Sequence, residues 1–127
     1  MIENRAHFEV FLAELRAWIR EVAIPREDEI AETNHVPNDL VAEMADKGFF
    51  GWSIPESHGG SGFTTVELVT AAMELSYAAT AVRARVGTNT GIGSEALVVD
   101  GTEEQKRAYL PRLASGAFTG CFALTEK

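Results

Sequence analysis

The sequence is short of cysteine, of basic residues and of long apolar runs, and each shortage removes a class of protein. One cysteine among 127 residues, Cys121, excludes an internal disulfide and fits a reducing, cytoplasmic setting. Its apolar neighbours favour an inert thiol in a strand over a reactive one. No run of 18 apolar residues occurs, so no membrane span is expected, and Met1 to Arg5 lack the apolar core of a secretory signal. The three histidines, His7, His35 and His58, stand in no metal-ligand spacing, so no metal site is expected. Eleven Lys and Arg against nineteen Asp and Glu give a net charge of −8, which argues against nucleic acid, whose phosphates need clustered cations. No Ser/His/Asp signature and no paired carboxylates stand out, so the residues alone nominate no catalytic nucleophile or base.

What is present describes an ordinary soluble domain: 46% hydrophobic and 24% charged residues over a length that one core can serve. Phe8, Phe11, Leu12, Leu15, Trp18, Ile19 and Val22 recur at the i, i+3, i+4, i+7 spacing of one buried helical stripe. Pro25 should end or kink that helix, and the acidic run Glu27-Asp28-Glu29 with Glu32 reads as a solvated face or loop. Pro37 suits the first turn of a second helix, with Leu40, Val41 and Met44 on its buried side and Gly48 at the left-handed position after its end. Residues 50–62 are a loop by composition.

Thr64-x-x-Glu67 is a capping box that opens a third helix, expected to run to about Ala81 and, being apolar nearly all round, to be covered on several sides. A fourth helix is expected from about Ala84 to Asp100, weakened by Gly87, Gly91 and Gly93. Thr102-x-x-Gln105 is a second capping box, opening a helix that carries Tyr109, Leu110 and Leu113 and stops near Gly116. The last eight residues, Gly120 to Lys127, read as the opening of an apolar strand. No other strand is expected to pair with it, and a lone strand is not stable. The expected fold is therefore all-α: an antiparallel bundle of four to five helices, followed by a strand.

Three places invite a functional reading, each with a plainer rival. Gly59-Gly60-Ser61-Gly62 precedes a helix but matches neither G-x-G-x-x-G nor a P-loop, so a structural turn is favoured over a phosphate site. Gly87, Gly91 and Gly93 with Thr88 and Ile92 place small residues on one helical face, which suits tight helix packing and a ligand groove about equally. Arg83 and Arg85 either reach solvent or recognise an anionic group, which guanidinium binds bidentately.

Three blocks together resemble one family. Gly48-Phe49-Phe50-Gly51-Trp52-Ser53-Ile54-Pro55-Glu56, followed by Gly59-Gly60-x-Gly62, is similar to the signature between the second and third helices of acyl-CoA dehydrogenases. Gly101-Thr102-Glu103-Glu104-Gln105-Lys106-Arg107-x-Tyr109-Leu110-Pro111-x-Leu113-Ala114-x-Gly116 resembles the family's helix before its sheet domain. Cys121-Phe122-Ala123-Leu124-Thr125-Glu126 resembles the start of its flavin-binding strand. The blocks stand in the family's order and spacing over nearly the whole chain.

The resemblance implies that residues 1–118 are the N-terminal helical domain and residues 119–127 the start of the β domain. It also implies an FAD-dependent enzyme that oxidises an acyl-CoA thioester to its trans-2-enoyl form. In the family a glutamate from the C-terminal domain takes the α proton, and the β hydrogen leaves as hydride to N5 of FAD. No acidic residue of this chain is therefore expected to be the base, and the 127 residues alone should be inactive and should not retain FAD. Phe122, Leu124 and Thr125 match the strand that runs along the flavin. Arg85, Thr88 and Ile92 match the helix lining the acyl pocket, which favours the ligand groove for that face. Arg83 falls where glutaryl-CoA dehydrogenases meet the substrate's far carboxylate, implying an acidic or polar acyl tail.

The implied partners are the acyl-CoA substrate, an electron-transferring flavoprotein and the remaining domains of the same enzyme, in a homotetramer or homodimer. Two features depart from the family: Lys127 stands where it usually has Pro, and its pocket helix does not usually carry arginines. An acyl-CoA oxidase or nitroalkane-oxidising relative on the same scaffold, and a free-standing helical interaction module, stay open as alternatives.

Overall fold

The computed structural model describes residues 5–125. The expected all-α fold is what these residues form: seven α-helices in the order α1 (Arg5–Trp18), α2 (Glu27–Thr33), α3 (Asn38–Asp46), α4 (Thr65–Leu75), α5 (Thr80–Gly87), α6 (Glu95–Asp100) and α7 (Glu103–Ala114), joined by π and 3-10 turns. They divide into two compact units. The first comprises residues up to Glu43 together with Phe63–Arg85, and the second Met44–Gly62 together with Val86 onward.

In the first unit α1 packs on α4. Phe8, Leu12 and Leu15 of α1 and Ala71 and Leu75 of α4 are buried, as the apolar stripe of α1 demands. Phe63 meets Phe8 and Phe11 edge-on at 5.3 and 5.0 Å between ring centroids, a geometry aromatic quadrupoles favour. After Trp18 the backbone keeps helical angles but changes to a π turn over Ile19–Ala23. A π turn adds one residue to the repeat, so the buried position falls on Ala23 rather than on the expected Val22, which is half-buried. Pro25 sits in a 3-10 turn, Ile24–Arg26, and α2 begins immediately after it. The acidic run thus opens a helix, where carboxylates suit the positive end of the dipole. Arg26 there donates to Glu29 at 2.6 Å and to both carboxylate oxygens of Asp39 at 3.0 and 3.2 Å.

The third helix is shorter and barer than expected. Its capping box forms, with the Glu67 carboxylate accepting from the Thr64 backbone N–H at 2.8 Å and from its hydroxyl at 2.7 Å. However, α4 ends at Leu75, and Val66, Val69 and Met73 are more than half exposed, as is Tyr77 just beyond it. Apolar composition does not tell a helix which neighbour covers it.

In the second unit, Ile54, Leu110, Leu113 and Ala114 form a buried cluster, with Leu97 and Val98 packed against it. The Thr102–Gln105 capping box forms as expected and starts α7, which runs through Pro111. The glycine loop is a structural turn. Ser61 N–H donates to the Gly51 carbonyl and Gly62 N–H to that of Ile54, both at 2.9 Å, and a Cβ on Gly60 would lie 2.0 Å from the Ile54 carbonyl oxygen. The expected fourth helix is interrupted. Thr88–Ile92 forms a π turn closed by Gly93 N–H to the Thr88 carbonyl, at 2.7 Å, and α6 resumes at Glu95.

Candidate functional site

The stretch expected to open a strand, Cys121–Thr125, joins no ladder among the described residues. Strand hydrogen bonds come from a neighbouring strand, and the described residues contain none to supply them. Glu126 and Lys127, the rest of that expectation, lie outside the described residues. Phe122 and Leu124 are 65% and 64% exposed, and Thr125 and Cys121 are exposed too. Five consecutive residues therefore offer their backbone groups and two large apolar side chains outward.

Immediately before this stretch the chain is held tightly. The side chain of Asn89, 1% exposed in the π turn, donates from Nδ2 to the carbonyls of Leu113 at 3.0 Å and Phe118 at 2.8 Å. Its Oδ1 accepts from the Gly120 N–H at 2.8 Å. Gly93 and Gly120 meet backbone to backbone, so that a Cβ on Gly120 would lie 2.4 Å from the Gly93 Cα. Phe118 N–H donates to the Arg112 carbonyl at 2.9 Å, and the Arg112 guanidinium lies 5.1 Å from the Phe118 ring centroid. An open pocket of about 360 Å³, lined by Gly93, Leu97, Tyr109, Phe118 and Gly120 among others, adjoins this junction. Nearby, the hydroxyls of Ser53 and buried Ser94 lie 3.1 Å apart.

The four residues expected at an acyl pocket divide between the units. Arg83, exposed, and Arg85, half-buried, are in the first; Thr88, half-buried, and Ile92, 63% exposed, are in the second. Among the described residues, neither arginine takes part in an ion pair. The π turn also breaks the 3.6-residue repeat on which the shared face of Arg85, Thr88 and Ile92 was reckoned. The charged groups that do shift lie elsewhere in the first unit. The Arg16 guanidinium, 2.5 Å from Glu74, lowers that carboxyl's pKa, and Arg26 does the same to Asp39, in each case chiefly through the hydrogen bond.

Sequence reasoning passed over Asn89. The available signal was a polar, poor helix-former inside a small-residue stretch, but its partners lie 24 to 31 residues away.

Residues 6–117 match the family model described as acyl-CoA dehydrogenase, N-terminal domain. An acyl-CoA dehydrogenase of Bacillus subtilis is 35% identical over 112 residues, which is 88% of this chain and 30% of that protein. A (2S)-methylsuccinyl-CoA dehydrogenase of Cereibacter sphaeroides is 37% identical over 91 residues, 72% of this chain and 16% of the relative. The crystal structure of an acyl-CoA dehydrogenase complexed with FAD from Bacillus anthracis superposes with a TM-score of 0.82 at 29% identity, over 98% of this chain and 21% of that one. The chain spans less than a third of the length of these relatives.

Proposed function

The chain belongs to the acyl-CoA dehydrogenase family, as its N-terminal domain, and on that premise we propose that it is the helical part of an FAD-dependent enzyme that oxidises an acyl-CoA thioester to the trans-2-enoyl-CoA. Residues 1–118 are the helical domain in this reading, and 119–127 lead into the flavin-binding β domain. The observation that carries it is the exposed stretch Cys121–Thr125, which leaves an anchored junction with its backbone groups unused.

FAD, when bound, supplies the acceptor for the β hydrogen. This chain's part is to present Phe122 and Leu124 as apolar contacts, and the Thr125 hydroxyl with adjoining backbone groups as hydrogen-bonding partners. The α proton is taken by a carboxylate outside these residues, so the 127-residue chain by itself turns over no substrate. The bare apolar residues of α4, Val66, Val69 and Met73, support a domain meant to be covered by further protein rather than a self-sufficient interaction module. In the complete enzyme the remaining domains, an electron-transferring flavoprotein and copies of the same subunit are the partners.

On the resemblance alone, we propose Arg83, Arg85, Thr88 and Ile92 as acyl-pocket residues, since the π turn removes the helical face that the last three would have shared. The two arginines, without ion-pair partners among the described residues, suit an acyl group with an acidic tail. A relative named for methylsuccinyl-CoA, whose acyl group bears a free carboxylate, is consistent with that. The test is turnover of the full-length enzyme on glutaryl-CoA and butyryl-CoA. Preference for glutaryl-CoA, abolished by Arg83→Ala, is expected, and a clear preference for butyryl-CoA contradicts the acidic tail. An oxidase on the same scaffold would instead consume oxygen in step with substrate.

A further inference from the structure

We propose that Asn89 is a positioning residue for the flavin-contacting stretch: its side-chain amide fixes where the chain leaves the helical domain, and so where Phe122 and its neighbours arrive. The inference rests on the reading that Phe122, Leu124 and Thr125 contact FAD.

Asn89 uses one primary amide to join three separate pieces of backbone. Its two Nδ2 hydrogens go to the carbonyls of Leu113, in the last turn of α7, and Phe118, and its Oδ1 takes the Gly120 N–H. Two carbonyl acceptors and one N–H donor define the orientation of the amide without ambiguity. Asn89 itself is 1% exposed, and the Leu113 carbonyl also takes the Gly116 N–H at 3.1 Å, so the loss of the amide falls on the Phe118 carbonyl and the Gly120 N–H, at a cost for each. The Gly93–Gly120 contact, too close for any side chain, fixes the approach at the same point.

Beyond Gly120 the stretch Cys121–Thr125 gains no hydrogen bond from the described residues, so its direction is inherited from this junction. Phe122 lies two residues on, within about 7 Å of chain, so an error at Gly120 passes to it almost undiminished. The start of α7 does not use Asn89: its capping box is closed by Thr102 and Gln105, and the Leu113 carbonyl keeps the Gly116 N–H as a donor. The side chain thus serves the exit of the chain more than the stability of the helix.

The experiment compares Asn89→Ala, Thr125→Val, Phe122→Ala and the core variant Leu110→Ala in the full-length holoenzyme, reading FAD affinity by dialysis, the visible flavin absorption envelope and Tm. Asn89→Ala should weaken FAD on the order of tenfold, the equivalent of about one buried hydrogen bond, and alter the envelope. Leu110→Ala should lower Tm at least as much while leaving both flavin readouts unchanged. In the 127-residue chain, Asn89→Ala should also remove hydrogen-exchange protection at the Gly120 amide. Should Asn89→Ala not fold, Asn89→Ser carries the same comparison, since a hydroxyl cannot span all three partners. If Thr125→Val perturbs the flavin and Asn89→Ala does not, the positioning role is wrong and the flavin reading stands. If Thr125→Val and Phe122→Ala both leave the flavin untouched, the flavin reading fails and this inference falls with it.

Discussion

Each of the two units of this chain has its own means of holding its parts in place. In the first, side chains do the holding: an aromatic triad of Phe8, Phe11 and Phe63, the Arg26–Asp39 and Arg16–Glu74 pairs, and leucines from α1 and α4. The second has its own apolar cluster around Ile54 and Leu110, but there backbone also meets backbone at Gly60 and again at Gly93 and Gly120, and one buried amide ties three main-chain groups. Side-chain packing yields in graded steps when one partner is trimmed. Backbone contact has no soft atom to move, so an added methyl group must displace the chain itself. The unit that carries the candidate flavin stretch is therefore the one with less tolerance for substitution at its turns.

The sharpest break of that contrast is Gly60→Ala. The new Cβ would sit 2.0 and 2.5 Å from two carbonyl oxygens, and a loss of roughly 3 kcal/mol is expected from such overpacking. Urea denaturation checks it, and a loss below about 1 kcal/mol would show that the turn shifts freely. Next come the two capping boxes, identical in plan. Thr64→Ala removes a partner from Glu67, which is 6% exposed, whereas Gln105 at the second box is exposed. The expected costs are about 2 kcal/mol for Thr64→Ala and about 1 kcal/mol for Thr102→Ala, both within the range for lost N-caps. Equal losses would contradict the role given to burial.

Gly87 is the counterexample within the backbone-held unit. A Cβ there would meet nothing within 4 Å, and the residue has helical angles. Gly87→Ala should therefore stabilise by about 0.5 kcal/mol, read as a rise in Tm.

The smallest effect is electrostatic. The carboxyl of Asp39 has its pKa lowered by Arg26, so its contribution is present above the unfolded carboxylate range and is lost as pH falls through the folded value. Asp39→Asn should lower Tm slightly at pH 7. That difference from the parent should close as the pH drops below about 4, and a difference that persists in acid would point to packing instead.

What the sequence disclosed follows the range of the interactions involved. Thr64 with Glu67 and Thr102 with Gln105 could be read directly, because a capping box spans three residues and contains its own partners. The stripe of α1 was legible for the same local reason, up to the π turn, where one added residue moved burial from Val22 to Ala23. Asn89 was not legible, since an asparagine among glycines says nothing of carbonyls dozens of residues away. The bare face of α4 was misread as a covered one, because an apolar helix records that something covers it and not whether that cover lies within the same 127 residues. The candidate flavin stretch, Cys121–Thr125, rests on resemblance alone. Its geometry adds what the resemblance could not, namely that it emerges exposed from a fixed point.

The most direct test of the account is equilibrium dialysis of FAD against the 127-residue chain and against the full-length protein. The account predicts a colourless chain that holds no FAD beside a full-length protein with a bound-flavin spectrum. A chain that binds FAD stoichiometrically by itself, or a full-length protein that binds none, would contradict it.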